Sequence, residues 1–209
     1  MASDAAASSR SGRTQLLEAA RSELAEHGHA AISLRAVARR AGLSHAAPKA
    51  HFEDRAALLT AVAVDGFLAL AADLAAVEAG PETELAGLGR AYVRFGLANP
   101  ALFDLMFRPS ELHPDDPVLQ QAQSKAIGVL RAAVDRLHSS TNSGTGGVGE
   151  GGSSALALVS WAFVQGLVVL TRDGALAGTA GLPAGEAVQD LALQLVDVFA
   201  ATVSSRATA

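Results

Sequence analysis

The chain has 209 residues, of which 50% are hydrophobic and 4% are aromatic, and its formal net charge is −5. Because it contains no cysteine, disulfides, zinc sites built on thiolates and cysteine nucleophiles are excluded. Ala and Leu, the best helix formers, are abundant, which predicts an all-α protein. Residues 1–60 hold eight Lys or Arg against six Asp or Glu, so the basic character lies at one end and suits a nucleic-acid partner.

The first two helices are predicted from apolar spacing and from residues that cap helix ends. Residues 1–9 are small and polar, and we expect a disordered tail there. Arg13–His27 carries a helical apolar face and ends before Gly28, which can adopt the left-handed conformation that terminates helices. Ser33 is then predicted to cap a short helix over Leu34–Ala41.

A tight turn, Gly42-Leu43-Ser44, leads to a third helix predicted over His45–His51, with Ser44 as its cap. Pro48 lies early in this helix and lacks the N–H that would bond to the Ser44 carbonyl. Two short helices joined by a Gly-containing turn form the helix-turn-helix pattern, whose second helix enters the major groove of DNA. The candidate DNA contacts are Ser33, Arg35, Ser44, His45, Lys49 and His51. Of the basic group Arg35, Arg39 and Arg40, we expect at least one to contact a phosphate.

Six further helices are predicted along the rest of the chain, separated by Gly and Pro breaks. They cover Asp54–Glu78, Glu82–Ala98, Ala101–Phe107, Asp116–His138, Ala155–Arg172 and Ala184–Val203, and Asp54 and Asp116 are predicted to cap the helices that they begin. Residues 139–154 are rich in Gly and Ser and are predicted to be a flexible connection.

No membrane span or signal peptide is predicted. The longest apolar stretch, Ala155–Thr171, is interrupted by polar residues and falls short of the roughly 20 residues that a span needs. The N-terminus has no apolar core of the kind that signal peptides carry. We therefore expect a cytoplasmic protein with no membrane partner.

The C-terminal helices carry the candidates for ligand binding and for dimerisation. Aromatic residues concentrate in the middle helices, where a bundle cavity would lie, although each residue taken singly fits ordinary core better than a ligand contact. The candidate ligand-binding residues are Phe67, Leu70, Tyr92, Phe95, Phe103, Met106, Phe107, Trp161 and Gln165. The last predicted helix is apolar on two sides, so one side is expected to face a second subunit. The candidate interface residues are Gly166, Val188, Leu191, Leu195 and Val198.

An ordered set of residues between Leu16 and Phe67 carries a family resemblance. The set is Ala19-Ala20, Gly28, Leu34, Val37, Ala38, Ala41-Gly42-Leu43-Ser44, His51-Phe52 and Asp54-Arg55-Ala56-Ala57-Leu58-Leu59. It resembles the N-terminal domain of the TetR family of regulators. The segments Asn99–Phe107 and Trp161–Leu167 resemble a C-terminal domain with a Trp and Gly motif from one branch of that family.

The resemblance implies a helix-turn-helix domain over residues 10–55 and a ligand-binding, dimerising domain over residues 56–209. Three positions depart from the family pattern. Lys49 stands where Tyr is usual, Ala50 where a polar or basic residue is common, and Gln165 where that branch has His. Lys can still neutralise a phosphate, as a mobile point charge.

The sequence thus predicts a ligand-responsive regulator, a repressor that binds a palindromic operator as a homodimer. Its expected partners are double-stranded DNA and a small apolar or amphipathic effector. No catalytic constellation or metal motif stands out, so we expect no enzyme and no cofactor. The alternative is a helical small-molecule-binding or interaction protein with weak or lost DNA binding, which Lys49 and Ala50 keep open.

Overall fold

The computed structural model describes residues 2–78, 84–141 and 150–207, with side chains described for 12–78, 84–137 and 155–205. Within these ranges the chain forms nine α-helices, three short 3-10 turns and no strand, so the predicted all-α class is confirmed. The helices are α1 (Ala2–His27), α2 (Leu34–Arg40), α3 (Arg55–Ala75), α4 (Glu84–Ala98), α5 (Pro100–Met106), α6 (Pro117–Thr141), α7 (Glu150–Arg172), α8 (Ala175–Ala180) and α9 (Glu186–Ala207). The 3-10 turns are His29–Ala31, Ala47–Ala50 and Pro109–Glu111.

Side-chain caps fix where three of the helices begin. The Ser33 Oγ accepts a hydrogen bond from the Ala36 N–H at 3.2 Å, at the start of α2. The Asp54 Oδ1 accepts from the Ala57 N–H at 2.7 Å, and the Asp116 Oδ1 accepts from the Leu119 N–H at 2.9 Å. Each cap satisfies a backbone donor that has no partner within the helix. The capping roles predicted for these three residues are confirmed.

Several helix limits differ from the predictions. Helix α1 begins at Ala2, where we predicted a disordered tail. Helices α6 and α7 both extend into the predicted flexible connection, of which residues 142–149 lie outside the described part of the chain. Helix α8 was not predicted. It lies between Gly174 and Gly181, whose φ values of 75° and 65° place both in the left-handed region.

The chain divides into two compact units. Unit 1 comprises Met1–Leu68 and Asn99–Gln123, and unit 2 comprises Ala69–Ala98 and Ser124–Ala209. Helix α5 and the start of α6 therefore belong with the N-terminal helices, whereas the sequence suggested a single boundary near residue 55.

In unit 1, α5 packs against α1 and α3. A Cβ added at Gly66 of α3 would lie 2.7 Å from the Met106 Sδ, so α5 approaches α3 where there is no side chain. Next to this contact, the rings of Phe67 and Phe107 meet edge to face with centroids 5.5 Å apart. Apolar packing from two distant parts of the sequence thus builds one core.

In unit 2, helices α4, α7 and α9 pack on one another. A Cβ added at Gly89 of α4 would lie 2.6 Å from the Val196 Cγ1 of α9, so the absence of a side chain sets their approach. The rings of Phe163 and Phe199 stack with centroids 4.4 Å apart and join α7 to α9.

Three helices are long and apolar enough to cross a membrane by length and composition alone, contrary to our prediction that the longest apolar stretch is too short. They are Arg55–Ala75, Ala155–Arg172 and Glu186–Ser205, whose most apolar windows are buried to 56%, 28% and 22%. Burial within the chain accounts for the apolar character of α3. Helices α7 and α9 leave much of their apolar surface uncovered.

Replacing Gly89 with Ala is expected to lower the free energy of unfolding by about 1 kcal/mol. Overpacking against the stiff Val196 side chain costs about 1–3 kcal/mol, and the better helix propensity of Ala offsets about 1 kcal/mol. Gly128→Ala in α6 is the matched control, because nothing lies within 4 Å of a Cβ there. The control should gain about 0.5–1 kcal/mol. Urea unfolding at one protein concentration measures both, and an equal gain in the two variants would contradict the close approach of α4 and α9.

Candidate functional site

The predicted recognition helix over His45–His51 is not an α-helix, and that prediction is wrong. The segment contains a single 3-10 turn, Ala47–Ala50. Pro48 has no N–H to donate to the Ser44 carbonyl, and its ring crowds that carbonyl, so a regular helix cannot form there. The Ala47 N–H instead donates to the Ser44 carbonyl at 3.0 Å. Ser44 also does not cap this turn through its side chain, since the cap position belongs to Ala46.

The 3-10 turn is anchored on its inner side by apolar and aromatic contacts. Pro48 is buried, and Phe52 is 4% exposed. The Arg13 guanidinium of α1 lies 5.5 Å from the centre of the Phe52 ring, a cation–π contact. A Cβ added at Gly12 would lie 3.2 Å from the His51 Nε2, so α1 passes close to His51. These contacts leave the outer side of the turn to solvent.

The predicted DNA-contacting residues lie mostly on the surface of unit 1. Ser33, Arg35, Ser44, His45 and Lys49 are exposed, and His51 is half-buried. Three of them, Ser44, His45 and Lys49, are exposed residues of one short run, 44–50, that includes the 3-10 turn. Within the described part of the chain, Arg35, His45 and Lys49 form no hydrogen bond or ion pair. Their donors are therefore not used by neighbouring side chains.

Unlike Arg35 and Arg39 on the same helix, Arg40 is bound by two acidic side chains of α1. Its Nε donates to the Glu23 Oε1 at 2.6 Å, and its two terminal nitrogens donate to Glu26 at 2.7 and 2.5 Å. These bonds raise the pKa of Arg40 and lower the pKa of Glu26, so both groups stay charged. Arg40 thus ties α2 to α1, and the cations of α2 that form no hydrogen bond or ion pair within the described part of the chain are Arg35 and Arg39.

The sequence analysis missed a second polar cluster in unit 1. The Arg55 Nε donates to the Ile32 carbonyl at 2.9 Å, its Nη2 donates to the His29 carbonyl at 2.6 Å, and its Nη1 donates to the Glu111 Oε2 at 2.5 Å. The only signal in the sequence was the place of Arg55 directly after the cap residue Asp54. The partners of Arg55 lie up to 56 residues away in sequence and carry no spacing that would reveal them.

In unit 2, three of the predicted ligand-binding residues are joined by hydrogen bonds. The Tyr92 hydroxyl of α4 donates to the Gln165 Oε1 at 2.5 Å and accepts from the Trp161 Nε1–H at 3.1 Å. Burial raises the pKa of Tyr92, so the phenol keeps its proton. On the same helix as Trp161, the buried Ser160 Oγ has no hydrogen-bond partner, and sequence reasoning did not single it out.

The other predicted ligand-binding residues do not share one unit. Leu70 and Phe95 are buried and belong to unit 2 together with Tyr92, Trp161 and Gln165. Four others belong to unit 1, where they pack between α3 and α5: Phe67, Phe103, Met106 and Phe107. The nine residues were predicted as one set because all lie in the middle and late helices. In the structure their contacts place them in two separate units.

The predicted interface residues differ sharply in exposure. Gly166, Leu191 and Leu195 are half-buried, and Val198 is 62% exposed. Val188 is 2% exposed and shares the inward face of α9 with Ala192, Val196 and Ala200, so its side chain belongs to the core of its own subunit. The sequence analysis placed it in the wrong phase of the helix. Four exposed apolar residues of α7 were missed, namely Leu158, Val159, Val169 and Leu170.

No group of three His, Cys, Asp or Glu side chains suited to a metal ion occurs among the residues that the structure describes. The polar clusters found above are therefore built from hydrogen bonds and ion pairs.

Comparison with known proteins adds independent information. Residues 16–62 match the family model described as bacterial regulatory proteins, tetR family. Residues 85–199, more than half of the chain, match the model described as tetracyclin repressor-like, C-terminal domain. No curated protein matches the sequence.

Several solved structures are similar along nearly the whole chain. A protein of unknown function from Rhodococcus sp. RHA1 is 33% identical, with a TM-score of 0.74 over 90% of this chain and 93% of its own. A TetR family transcription regulator from Marinobacter aquaeolei VT8 is 23% identical, with a TM-score of 0.57 over 90% and 94% of the two chains. The TetR family transcriptional regulator PfmR from Thermus thermophilus is 20% identical, with a TM-score of 0.58 over 88% and 95%.

The Marinobacter and Thermus structures are similar to this chain in fold only. The two family-model matches assign the family. The N-terminal match covers α2 and the exposed 3-10 turn, and the C-terminal match covers most of unit 2. The protein belongs to the TetR family of bacterial regulatory proteins and is a DNA-binding transcriptional regulator.

Proposed function

We propose that the protein is a repressor that binds a palindromic operator as a homodimer and responds to a small effector bound in unit 2. The observation that carries the proposal is the run from Ser44 to Lys49, in which all residues except Ala47 and Pro48 are exposed. It is held from behind by the buried Pro48, and its His45 and Lys49 side chains have no partner among the described residues. Because such a regulator acts on chromosomal DNA, we propose a cytoplasmic location.

Unit 1 has the donors needed to bind a DNA backbone. Lys49 lies on the 3-10 turn and Arg35 on the first turn of α2, and both are exposed. Each phosphate that such a cation neutralises releases bound counterions, so affinity falls as salt rises. His45 lies beside Ser44 at the start of the exposed run, where its imidazole can reach a base edge or a phosphate. Two copies would place two such runs in successive major grooves, roughly 34–36 Å apart.

Lys49→Ala is expected to weaken DNA binding and to reduce the salt dependence of the binding constant. The slope of log K against log salt should fall by about 0.9 per protomer, the contribution of one phosphate contact. Fluorescence anisotropy with a duplex from upstream of the protein's own gene gives this slope. The matched control is Lys125→Ala, which removes an exposed lysine from α6 in unit 2.

An unchanged slope in Lys49→Ala would remove Lys49 from the interface. Indifference of the wild-type protein to any DNA at low salt would favour the alternative, a helical small-molecule-binding protein that no longer binds DNA.

Unit 2 presents an apolar face that suits a second copy of the chain. On α7 the exposed residues Leu158, Val159, Val169 and Leu170 recur at helical spacing, and on α9 Val198 is exposed with Leu191 and Leu195 half-buried beside it. Exposed apolar residues concentrated on neighbouring helices in this way suit an interaction site. Two copies related by a two-fold axis would each cover the same surface of the other.

Val198→Asp is expected to convert the dimer to a monomer, because it would bury an unpaired carboxylate in an apolar interface. Sedimentation equilibrium at micromolar concentration measures the oligomeric state. Val118→Asp is the matched control, since Val118 is 56% exposed but lies at the start of α6 in unit 1. A dimer that survives Val198→Asp would place the interface elsewhere, and a monomeric wild-type protein would overturn the homodimer.

The interior of unit 2 is apolar with a few uncharged hydrogen-bonding groups, which suits an apolar or amphipathic effector. Leu70 and Phe95 are buried, and Tyr92, Gln165 and Trp161 form the hydrogen-bonded group described above. The buried carboxylate of this unit, Glu84, is already bound by Arg136, so it is not left to pair with a cationic ligand.

An uncharged amphiphile is expected to weaken operator binding, and Tyr92→Phe is expected to reduce that response. Coupling free energies of about 1–3 kcal/mol change affinity about 5–150-fold. Trp161 is the only tryptophan in the chain, so its fluorescence reports directly on this group. Decanol and decanoate, which share a chain length, serve as probes. Equal responses of wild-type and Tyr92→Phe protein would remove Tyr92 from the effector site.

A further inference from the structure

Arg55, at the first position of α3, holds together three parts of unit 1 through one side chain. Its three guanidinium nitrogens donate to the carbonyls of His29 and Ile32 and to the carboxylate of Glu111. The two carbonyls belong to the first residue of the 3-10 turn His29–Ala31 and to Ile32, which follows the turn and precedes the cap and first turn of α2. The planar fork of an Arg can satisfy three acceptors in fixed directions, whereas a Lys presents a single point.

Acidic side chains also lie close to the His29 imidazole of the same turn. The His29 Nε2 lies 3.4 Å from the Asp104 Oδ2 of α5, and its Nδ1, which forms no hydrogen bond among the described residues, lies 3.8 Å from the Glu111 Oε1. The His29 side chain is only 16% exposed. Arg108 approaches Asp104 at 3.0 Å and completes the charged groups around the imidazole. The turn before α2 is therefore enclosed by α3 on one side and by α5 and the Pro109–Glu111 turn on the other.

A second pair of bonds attaches the same segment to α3. The His113 N–H donates to the Thr60 Oγ1 at 2.9 Å, and the His113 Nε2 lies 3.1 Å from the Oδ1 of Asp54, the residue that caps α3. We name residues 104–113 the clasp. It contacts the N-terminal part of unit 1 through Asp104, Glu111 and His113.

We propose that Arg55 is a positioning residue for operator binding, fixing the start of α2 to the clasp through Glu111 rather than touching DNA itself. This inference rests on the proposed function of unit 1. A cation beside a DNA-binding surface would ordinarily be taken for a phosphate contact. All three nitrogens of Arg55 are already engaged, and Glu111 balances its charge. The hydrogen bond from Arg55 holds the pKa of Glu111 below its ordinary value, so the carboxylate is ionised at neutral pH.

The test compares Arg55→Met with Lys49→Ala in anisotropy titrations against the upstream duplex and against a random duplex. Arg55→Met should lower affinity for the upstream duplex on the order of tenfold, the effect of losing hydrogen bonds to a charged group. The salt slope and the affinity for the random duplex should stay unchanged, whereas Lys49→Ala should lower both. A slope that falls by about 0.9 per protomer in Arg55→Met would make Arg55 a phosphate contact and overturn the proposal. Unchanged affinity for the upstream duplex would overturn it as well.

Two milder variants keep the test decisive if Arg55→Met folds poorly, as judged by circular dichroism and sedimentation. Arg55→Lys retains the charge but cannot reach both carbonyls and Glu111, so the loss of affinity for the upstream duplex should persist. Full recovery in Arg55→Lys would show that charge alone matters and would overturn the positioning role. Glu111→Gln should weaken binding of the upstream duplex in wild-type protein but add nothing in the Arg55→Lys background, because the coupled pair is already broken.

Titration of the wild-type protein distinguishes a failure of the proposed function from a failure of the positioning role. If wild-type protein binds no upstream duplex, the proposed function fails. If it binds and the Arg55 variants bind equally well, only the positioning role fails.

Discussion

The absence of an N–H on Pro48 is the constraint on which the proposed DNA-binding surface depends. A residue without that donor cannot continue the α-helical hydrogen-bond pattern, so the chain between Ser44 and Phe52 is reduced to one 3-10 turn. The turn keeps its place because Pro48 and Phe52 are buried behind it. This anchoring holds the irregular segment in place, and Lys49 on the turn and His45 before it remain exposed.

Residues distant in sequence build the body that carries this surface. Helix α5 and the clasp come from the middle of the chain, yet they pack with the N-terminal helices in unit 1. The contact of Gly66 with Met106 and the ring contact of Phe67 with Phe107 are apolar. The hydrogen bonds of Arg55 and His113 are directional and join the same parts of the chain. Apolar packing supplies most of the stabilisation in such a core, while the polar bonds fix one arrangement among many similar ones.

The sequence predicted what local chemistry determines and missed what tertiary contacts determine. Ser33, Asp54 and Asp116 were identified as caps because a helix start needs acceptors from a few residue types. By contrast, the partners of Arg40 and Arg55 depend on how helices pack, and nothing in the local sequence distinguishes Arg40 from the exposed Arg35. Helix α9 shows where hydrophobic periodicity fails to predict burial. Apolar residues occur on several sides of it, so periodicity could not tell the buried Val188 from the exposed Val198.

Helices α7 and α9 are apolar enough to span a membrane by composition, and the exposed polar residues of α9 fit the proposed dimer better than a lipid-facing surface. Asp190, Gln194 and Asp197 are exposed on the same helix as Val198, and Asp197 forms an ion pair with Arg90 of α4. Acidic groups are costly in hydrocarbon and are rare on lipid-facing surfaces. In the proposed dimer they would stay in water at the edge of the interface and cost little, while the apolar stripe beside them is covered. Because a two-fold interface brings the same stripe of each subunit against the other, the acidic residues beside the stripe would lie at the solvated rim of both subunits.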